Sequence, residues 1–138
     1  MDNEVIEQKL EPLRRCFQHT EEKCPSSAES HAEDFDLQDI VALNLTRATQ
    51  LYVDIGAHLI AGKDIPPSTT MGQTFDALAK FEVINTELAI RMRKAVGFRN
   101  IAVHNYEAIN WQIAHTIATS HQKNFKNFAK AVIQKCGL

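Results

Sequence analysis

The residues with the clearest chemical potential lie together in GFRNIAVHNYEAIN, residues 97–110. Three side chains in this stretch can do chemistry: Arg99, His104 and Tyr106. A guanidinium keeps its charge at any physiological pH and binds anions. An imidazole exchanges protons near neutral pH, and a phenol offers a hydroxyl group. Whether the three can act together depends on the element of structure that carries them.

That element is predicted to be a helix over residues 85–106, with Asn85 or Thr86 as its N-cap. At 100° per residue, Arg99 falls in the middle of an apolar stripe. The stripe members lie within about 60° of the arginine and are Leu88, Met92, Ala95, Val96, Ala102 and Val103. Because a guanidinium cannot lose its charge, Arg99 must find an anion, an interface or water there. Tyr106 follows seven residues later and is expected on the same face.

His104 is expected to point away from Arg99, because five residues turn a regular helix by about 140°. It lies one turn after Asn100, whose amide can hydrogen-bond an imidazole nitrogen and fix its tautomer. An arginine and a histidine that diverge on one helix converge most easily when a second copy of that helix faces the first across a two-fold axis. The spacing therefore favours a composite site in a homodimer.

Each of these residues also has a structural interpretation. An arginine beside an apolar stripe often reaches solvent or pairs with a carboxylate, and a tyrosine there can be a core aromatic with its hydroxyl at the edge. Asp54 and His58, spaced i, i+4 on another predicted helix, are either a surface ion pair or a support for the motif arginine or for RNA. The basic residues Arg91, Arg93 and Lys94 either follow a phosphate backbone or form a solvated face.

Hydrophobic periodicity predicts helices along the rest of the chain. The predicted helices cover residues 2–24, 36–61, 70–80, 85–106 and 110–135. Pro12 should bend or split the first of them. Polar, turn-rich connections are expected at residues 24–36 and 62–70. Since no strand pattern is present, the sequence predicts an all-α fold, an up-and-down bundle of about five helices, in one domain over residues 1–138.

Composition excludes several classes of protein. The chain has 138 residues, of which 44% are hydrophobic and 23% charged, and its formal net charge is -2, so any contact with RNA has to be local. No run is long and apolar enough for a membrane span and the first residues do not resemble a signal peptide, so we expect a cytoplasmic protein. Three cysteines and six scattered histidines form no ligand pattern, so we expect reduced thiols and neither a metal nor a cofactor.

The motif and its surroundings resemble a known family. Arg99, Asn100 and His104 resemble the R-x(4-6)-H motif of HEPN domains, in which a polar residue often follows the arginine. Addition of Tyr106 gives R-x4-H-x-Y, which is similar to the motif of HepT toxins that are paired with MntA-type nucleotidyltransferase antitoxins. The likeness covers most of the chain from about residue 36 to 132, and its longest segments are residues 36–61 and 75–100.

The resemblance implies an HEPN-like bundle that forms a homodimer or a higher oligomer, with two motifs meeting at a cleft, and a metal-independent endoribonuclease activity. Arg99 would then clamp the RNA phosphate, and His104 of each copy would supply an acid and a base. It also implies that the antitoxin silences the toxin by transferring AMP to Tyr106. The alternative is a non-catalytic HEPN subunit that binds a nucleotide or a partner.

Overall fold

The computed structural model describes residues 3–24, 29, 33–61 and 70–137. In these residues it contains five α-helices, one short 3-10 helix and no strand, which confirms the predicted all-α fold. The elements in chain order are α1 (Asn3–Lys23), α2 (Phe35–Ala61), α3 (Met71–Lys80), α4 (Thr86–His104), the 3-10 helix (Tyr106–Ala108) and α5 (Trp111–Cys136). None of the helices so described has the length and apolarity to cross a bilayer. Most of the two predicted connections lies outside the described residues.

Asparagine caps define where the two helices around the motif begin. Asn85 Oδ1 accepts a hydrogen bond from the amide of Leu88 at 2.7 Å and thereby starts α4. Asn110 Oδ1 accepts from the amides of Gln112 and Ile113 at 3.0 and 3.2 Å and starts α5. A side-chain oxygen in this position satisfies amides that have no partner inside the helix. Both caps were predicted, and both are confirmed.

Pro12 does not split the first helix. The helix runs unbroken from Asn3 to Lys23 with the proline inside it, so of the two predicted outcomes, a bend or a split, the split is wrong. Proline removes one backbone hydrogen bond, a local loss that packing can offset. Ile6, before the proline, and Leu13, after it, are both fully buried in the same core cluster. The helix is therefore packed against the core on either side of Pro12.

The end of α4 differs from the prediction in a way that matters for the motif. The helix stops at His104, because Asn105 leaves the helical region with φ -153° and ψ 67°. The amide of Asn105 still donates to the carbonyl of Ile101 at 2.8 Å, and a 3-10 turn follows from Tyr106. Asparagine favours such turns because its side chain competes with the backbone for hydrogen bonds. Tyr106 therefore does not share the helical face of Arg99, as a continuous helix would have required.

The buried residues form two adjoining clusters. The larger cluster involves all five α-helices, and at its centre the rings of Tyr52 and Phe128 meet edge to face at 5.0 Å. The smaller one, here called the motif-end cluster, lies under the motif and consists of Val41, Ala42, Leu45, Phe98, Ile109, Ala114 and Ala118. It joins the first half of α2 to the end of α4 and the start of α5. The segment that carries the motif is thus packed against the smaller cluster and not against the larger one.

The position of α3 against α2 depends on Gly56. A Cβ atom at this position would lie 2.7 Å from Thr74 Cγ2 and 3.1 Å from Leu78 Cδ1. The first distance is shorter than a real contact allows, so the absence of a side chain lets the two helices approach each other. This approach sets the position of α3, whose first turn lies against α4 close to Arg99.

We expect Gly56→Ala to reduce the free energy of unfolding. Overpacking costs about 1–3 kcal/mol, which is more than the gain of up to about 1 kcal/mol that alanine has over glycine inside a helix. Thr74→Ser removes the clashing methyl and keeps the hydroxyl, so Gly56→Ala should be less harmful in that background. Urea unfolding of the two single variants and the double variant measures this coupling. Strictly additive effects would show that the close approach does not limit the packing.

Candidate active site

Arg99 is the side chain around which the candidate site is built. Its side chain is half-buried, and its Nε atom is buried without a hydrogen-bond partner among the described residues. Its Nη1 atom donates to Asn100 Oδ1 at 3.2 Å, which is a contact between neutral and charged groups and not an ion pair. A buried donor without an acceptor is costly, more so when it carries charge. The guanidinium therefore has no anionic partner among the described residues.

The arginine opens into a groove of about 460 Å³ between α3 and α4. Thr70 and Gly72 line it at the start of α3, and Arg93 and Gly97 line it on α4. Arg93 forms an ion pair with Asp76 of α3, so its charge is already compensated within the chain. The start of a helix adds partial positive charge from its free amides. The groove thus combines an uncompensated guanidinium with a second, paired one.

His104 lies apart from Arg99 in the structure. It is the last residue of α4 and is exposed to solvent. Since α4 is regular across both residues, the rotation of about 140° between them holds. The predicted hydrogen bond between Asn100 and His104 is absent from the described residues, where Asn100 accepts from Arg99 instead. One chain therefore does not bring the arginine and the histidine together.

Tyr106 has a contact that the sequence did not predict. Its hydroxyl donates a hydrogen bond to the Asp39 carboxylate of α2, and its ring meets Trp111 edge to face at 5.8 Å. Partial burial, foremost, and then the bond to Asp39 and the charges of Asp39 and Glu107 raise the pKa of Tyr106. The phenol is accordingly protonated at neutral pH. No periodic signal links Asp39 to a residue 67 positions later, so sequence reasoning missed it.

Asp54 occupies a different part of the bundle. Its carboxylate accepts from Gln50 Nε2 at 3.0 Å and forms an ion pair with Lys9 Nζ at 3.7 Å. These contacts link α2 to α1 and involve neither the motif nor His58. The predicted role of Asp54 as a support of the site stays a prediction, and its observed contacts are structural.

The predicted basic cluster is largely compensated within the chain. Arg91 pairs with Glu87 one turn earlier on α4, and Arg93 pairs with Asp76. Both pairs are at least partly exposed, where such pairs contribute little to stability. Lys94 is exposed. This arrangement favours a solvated face over a continuous track for a phosphate backbone.

One face of α4 is exposed and apolar and has a glycine in its middle. Ile90, Gly97, Ile101 and His104 lie within about 60° of one another on the helix. The two isoleucines are 52% and 44% exposed, so this side of the helix presents apolar surface to solvent. A Cβ atom at Gly97 would meet nothing within 4 Å, although glycine inside a helix costs about 1 kcal/mol relative to alanine. Nothing in the described part of the chain explains this glycine sterically. We call this surface the α4 face.

The metal-binding and thiol groups form no further centre. Within the described ranges, no group of three or more histidine, cysteine or carboxylate side chains lies close enough together to hold a metal ion. Cys16, Cys24 and Cys136 form no disulfide with one another in the described structure. Burial raises the pKa of Cys16 and of Cys24, so neither is an activated nucleophile.

The similarity to known proteins extends over nearly the whole chain. A family model described as "Ribonuclease HepT-like" matches residues 6–132. The mRNA nuclease HepT of Shewanella oneidensis is 29% identical over 130 residues, which are 94% of this chain and 97% of the relative. The tRNA nuclease HepT of Aphanizomenon flos-aquae is 29% identical over 106 residues, covering 77% of this chain and 72% of the relative.

A similar solved structure is that of the tri-AMPylated Shewanella oneidensis HEPN toxin in complex with its MNT antitoxin. It superposes with a TM-score of 0.86 at 29% identity and covers 96% of this chain and 98% of that one. The family match reaches into all five α-helices and includes the R-x4-H-x-Y motif. The predicted resemblance, the HEPN-like fold and the enzyme class, an endoribonuclease, are thereby confirmed. The chain belongs to the HepT-like ribonuclease family.

Proposed function

We propose that this chain is the toxin of a HepT/MntA-type toxin–antitoxin pair and cleaves RNA, without a metal ion, in a cleft formed by two copies. The observation that carries the proposal is the buried, unpartnered Nε of Arg99 beside the α3–α4 groove. A guanidinium can bind a phosphate group through two parallel hydrogen bonds, and the phosphate is the anionic group of RNA. The names of the two HepT relatives, nucleases of mRNA and of tRNA, support RNA as the substrate class. We propose that the protein acts in the cytoplasm, where both RNA and ATP are present.

The chemistry needs an acid, a base and a cation. A base takes the proton of the ribose 2'-hydroxyl, the 2'-oxygen attacks the neighbouring phosphorus, and the 5'-oxygen leaves with a proton from the acid. Arg99 binds the phosphate oxygens and stabilises the charge that develops on them. An imidazole suits either proton transfer near neutral pH. Each chain brings one motif histidine, His104, so two copies supply the pair.

The α4 face gives the second copy a place to bind. Gly97 allows the backbone of another helix to approach closely, and Ile90 and Ile101 lose their exposure on contact. A helix face that pairs with itself across a two-fold axis is self-complementary. His104 lies on the same face, two turns from Gly97, and the groove of Arg99 borders it. Pairing through this face therefore places His104 of both copies at the contact, and the arginine groove reaches the contact at Gly97.

Control of the activity falls to Tyr106. In the proposed pair, an MntA-like nucleotidyltransferase transfers AMP from ATP to its hydroxyl. The tyrosine follows His104 by two residues, so a negative phosphodiester and a nucleoside there obstruct RNA by charge and by volume. The similar toxin whose structure is solved is itself AMPylated and bound to an antitoxin. In this scheme Asn100 positions the Arg99 guanidinium, and Asp54 keeps α1 on α2.

A second candidate function is a non-catalytic subunit that binds a nucleotide or a partner. A cavity of about 660 Å³ between α1 and α2 favours it. Arg15 and Arg47 line this cavity and have no acidic partner in the described part of the chain, and Asn44 Nδ2 lies 3.1 Å from His19 Nδ1 beside them. Such a cavity suits a nucleotide phosphate. An RNA-cleavage assay distinguishes such a binding subunit from a nuclease.

We expect Arg99→Ala and His104→Ala each to reduce RNA cleavage by at least about 10²-fold, the usual loss when a proton-transfer or charge-stabilising group is removed. Arg91→Ala and His58→Ala are matched controls, because they remove the same residue types away from the site. Cleavage of labelled RNA, together with thermal melting of each variant, measures the effect. Normal cleavage by a folded Arg99→Ala or His104→Ala protein would exclude that residue from the reaction.

Cleavage should persist when divalent cations are removed. The proposed acid, base and cation are all side chains of the protein, so EDTA should change the initial rate less than about two-fold at constant ionic strength, where metal catalysis would lose several orders of magnitude. The assay is the same, with Mg²⁺ and Mn²⁺ added back in parallel. Activity that appears only after the metals are restored would identify a metal-dependent nuclease instead.

A side chain at position 97 should weaken the association of the two copies. Gly97→Gln introduces a long side chain on the α4 face, where its Cβ atom meets nothing within 4 Å, so we expect folding to be preserved while association and cleavage fall together. Sedimentation velocity gives the mass, and thermal melting gives the folded fraction. Ala57→Gln, on the exposed side of α2, is the control. A Gly97→Gln protein that remains a fully active dimer would place the interface elsewhere.

A further inference from the structure

Asp39 has an unusual set of contacts for a surface carboxylate. It lies near the start of α2, is exposed, and forms no ion pair with any cation among the described residues. Its one hydrogen bond there is to the hydroxyl of Tyr106, which donates its proton to Asp39 Oδ1. The bond joins two residues 67 positions apart and so connects α2 to the 3-10 turn after the motif. A carboxylate of this kind is placed to act on that proton.

The proton matters because Tyr106 is a weak nucleophile while it keeps it. A phenol attacks a phosphorus atom efficiently only if its proton is removed before or during the attack. Burial, the bond to Asp39 and nearby negative charge all raise the pKa of Tyr106, so little phenolate forms spontaneously. Removal of the proton during the attack then requires a base within hydrogen-bond distance of the oxygen.

The other polar groups near the phenol do not meet this requirement. Glu107 acts on Tyr106 through its charge, and no hydrogen bond to the hydroxyl is present in the described structure. Trp111 meets the tyrosine ring edge to face, and its indole N–H is a donor that cannot take a proton. His104 is exposed at the end of α4 and has no described contact with the phenol. Asp39 is therefore the described carboxylate that is hydrogen-bonded to the reacting oxygen.

We propose that the toxin carries the base for its own silencing: Asp39 takes the phenol proton when Tyr106 is adenylylated. This rests on the proposed function. The Tyr106 oxygen forms a bond to the α-phosphorus of ATP, which the nucleotidyltransferase partner supplies with its Mg²⁺. The bond between the α-phosphorus and the bridging oxygen breaks, and pyrophosphate leaves with the electron pair. The phenol proton passes to the Asp39 carboxylate.

Addition of AMP also removes the hydrogen bond between Tyr106 and Asp39. Once AMP is attached, the tyrosine oxygen has no proton to donate, and the phosphodiester next to Asp39 is negative. The hydrogen bond between α2 and the 3-10 turn is thus lost and replaced by repulsion between like charges. The modified side chain is expected to turn away from α2, while its ring can keep the contact with Trp111.

The test compares rates of AMP transfer to the full-length chain by its MntA-type partner, with ATP and Mg²⁺, followed by intact-mass and peptide mass spectrometry. Asp39→Asn keeps an acceptor oxygen for the hydroxyl but cannot take the proton, so transfer to Tyr106 should slow by at least about 10²-fold. Asp36→Asn, an exposed aspartate three residues earlier on α2, is the matched control and should leave the rate unchanged. Asp39→Glu keeps a carboxylate and should recover part of the rate.

The pH dependence distinguishes a base from a residue that only positions the tyrosine. Without the base, transfer depends on the small fraction of phenolate, which rises about tenfold per pH unit. The rate of Asp39→Asn divided by that of wild type should therefore rise between about pH 6.5 and 8.5, since the partner's own pH dependence cancels in this ratio. A slow rate with a constant ratio would overturn the assignment of Asp39 as a base.

Failure of this inference can be told apart from failure of the proposed function. If wild-type protein takes AMP on Tyr106 and Asp39→Asn takes it equally fast, the base belongs to the partner enzyme and the inference is wrong. If wild type takes no AMP, or takes it on another residue while Tyr106→Phe is modified as well, the proposed regulation falls and the inference with it. Thermal melting of Asp39→Asn and Asp39→Glu verifies that both are folded.

Discussion

The buried Nε of Arg99 is the constraint on which the rest of the site depends. A guanidinium cannot be neutralised, and this one lies at the edge of the core with no carboxylate among its described contacts. Such an arrangement is unfavourable in the isolated chain, and in the proposed function a phosphate bound by the guanidinium offsets this cost. The α3–α4 groove keeps the site accessible, and the close approach at Gly56 holds α3 where it forms one wall of that groove.

Regular helix geometry then determines how the catalytic groups can meet. Because α4 is unbroken from Arg99 to His104, the two side chains leave the helix about 140° apart. The apolar α4 face with Gly97 at its centre suits a second copy. The helix ends directly after His104, so Tyr106 stands in a turn where another enzyme can reach it. The proposed catalytic residue His104 and the proposed AMP acceptor Tyr106 are therefore close in sequence but lie in different backbone conformations.

Sequence reasoning predicted those features that depend on local periodicity and capping. The Asn85 and Asn110 caps, the limits of α2 and the half-buried position of Arg99 follow from residue type and from the helical repeat. It failed where tertiary contacts decide: the end of α4 before Tyr106, and the bond between Tyr106 and Asp39, which has no sequence signal across 67 residues. The resemblance identified the motif, yet it could not show that the neighbouring basic residues are already paired within the chain.

The most direct test of a site shared by two copies is the activity of mixed dimers. Two affinity tags allow isolation of dimers in which one copy is wild type and the other carries His104→Ala. If one cleft uses both histidines as acid and base, the mixed dimer should retain less than about a tenth of wild-type RNA cleavage, close to the doubly substituted dimer. If each chain held a complete site, the mixed dimer would retain about half of the activity, and that result would contradict the shared cleft.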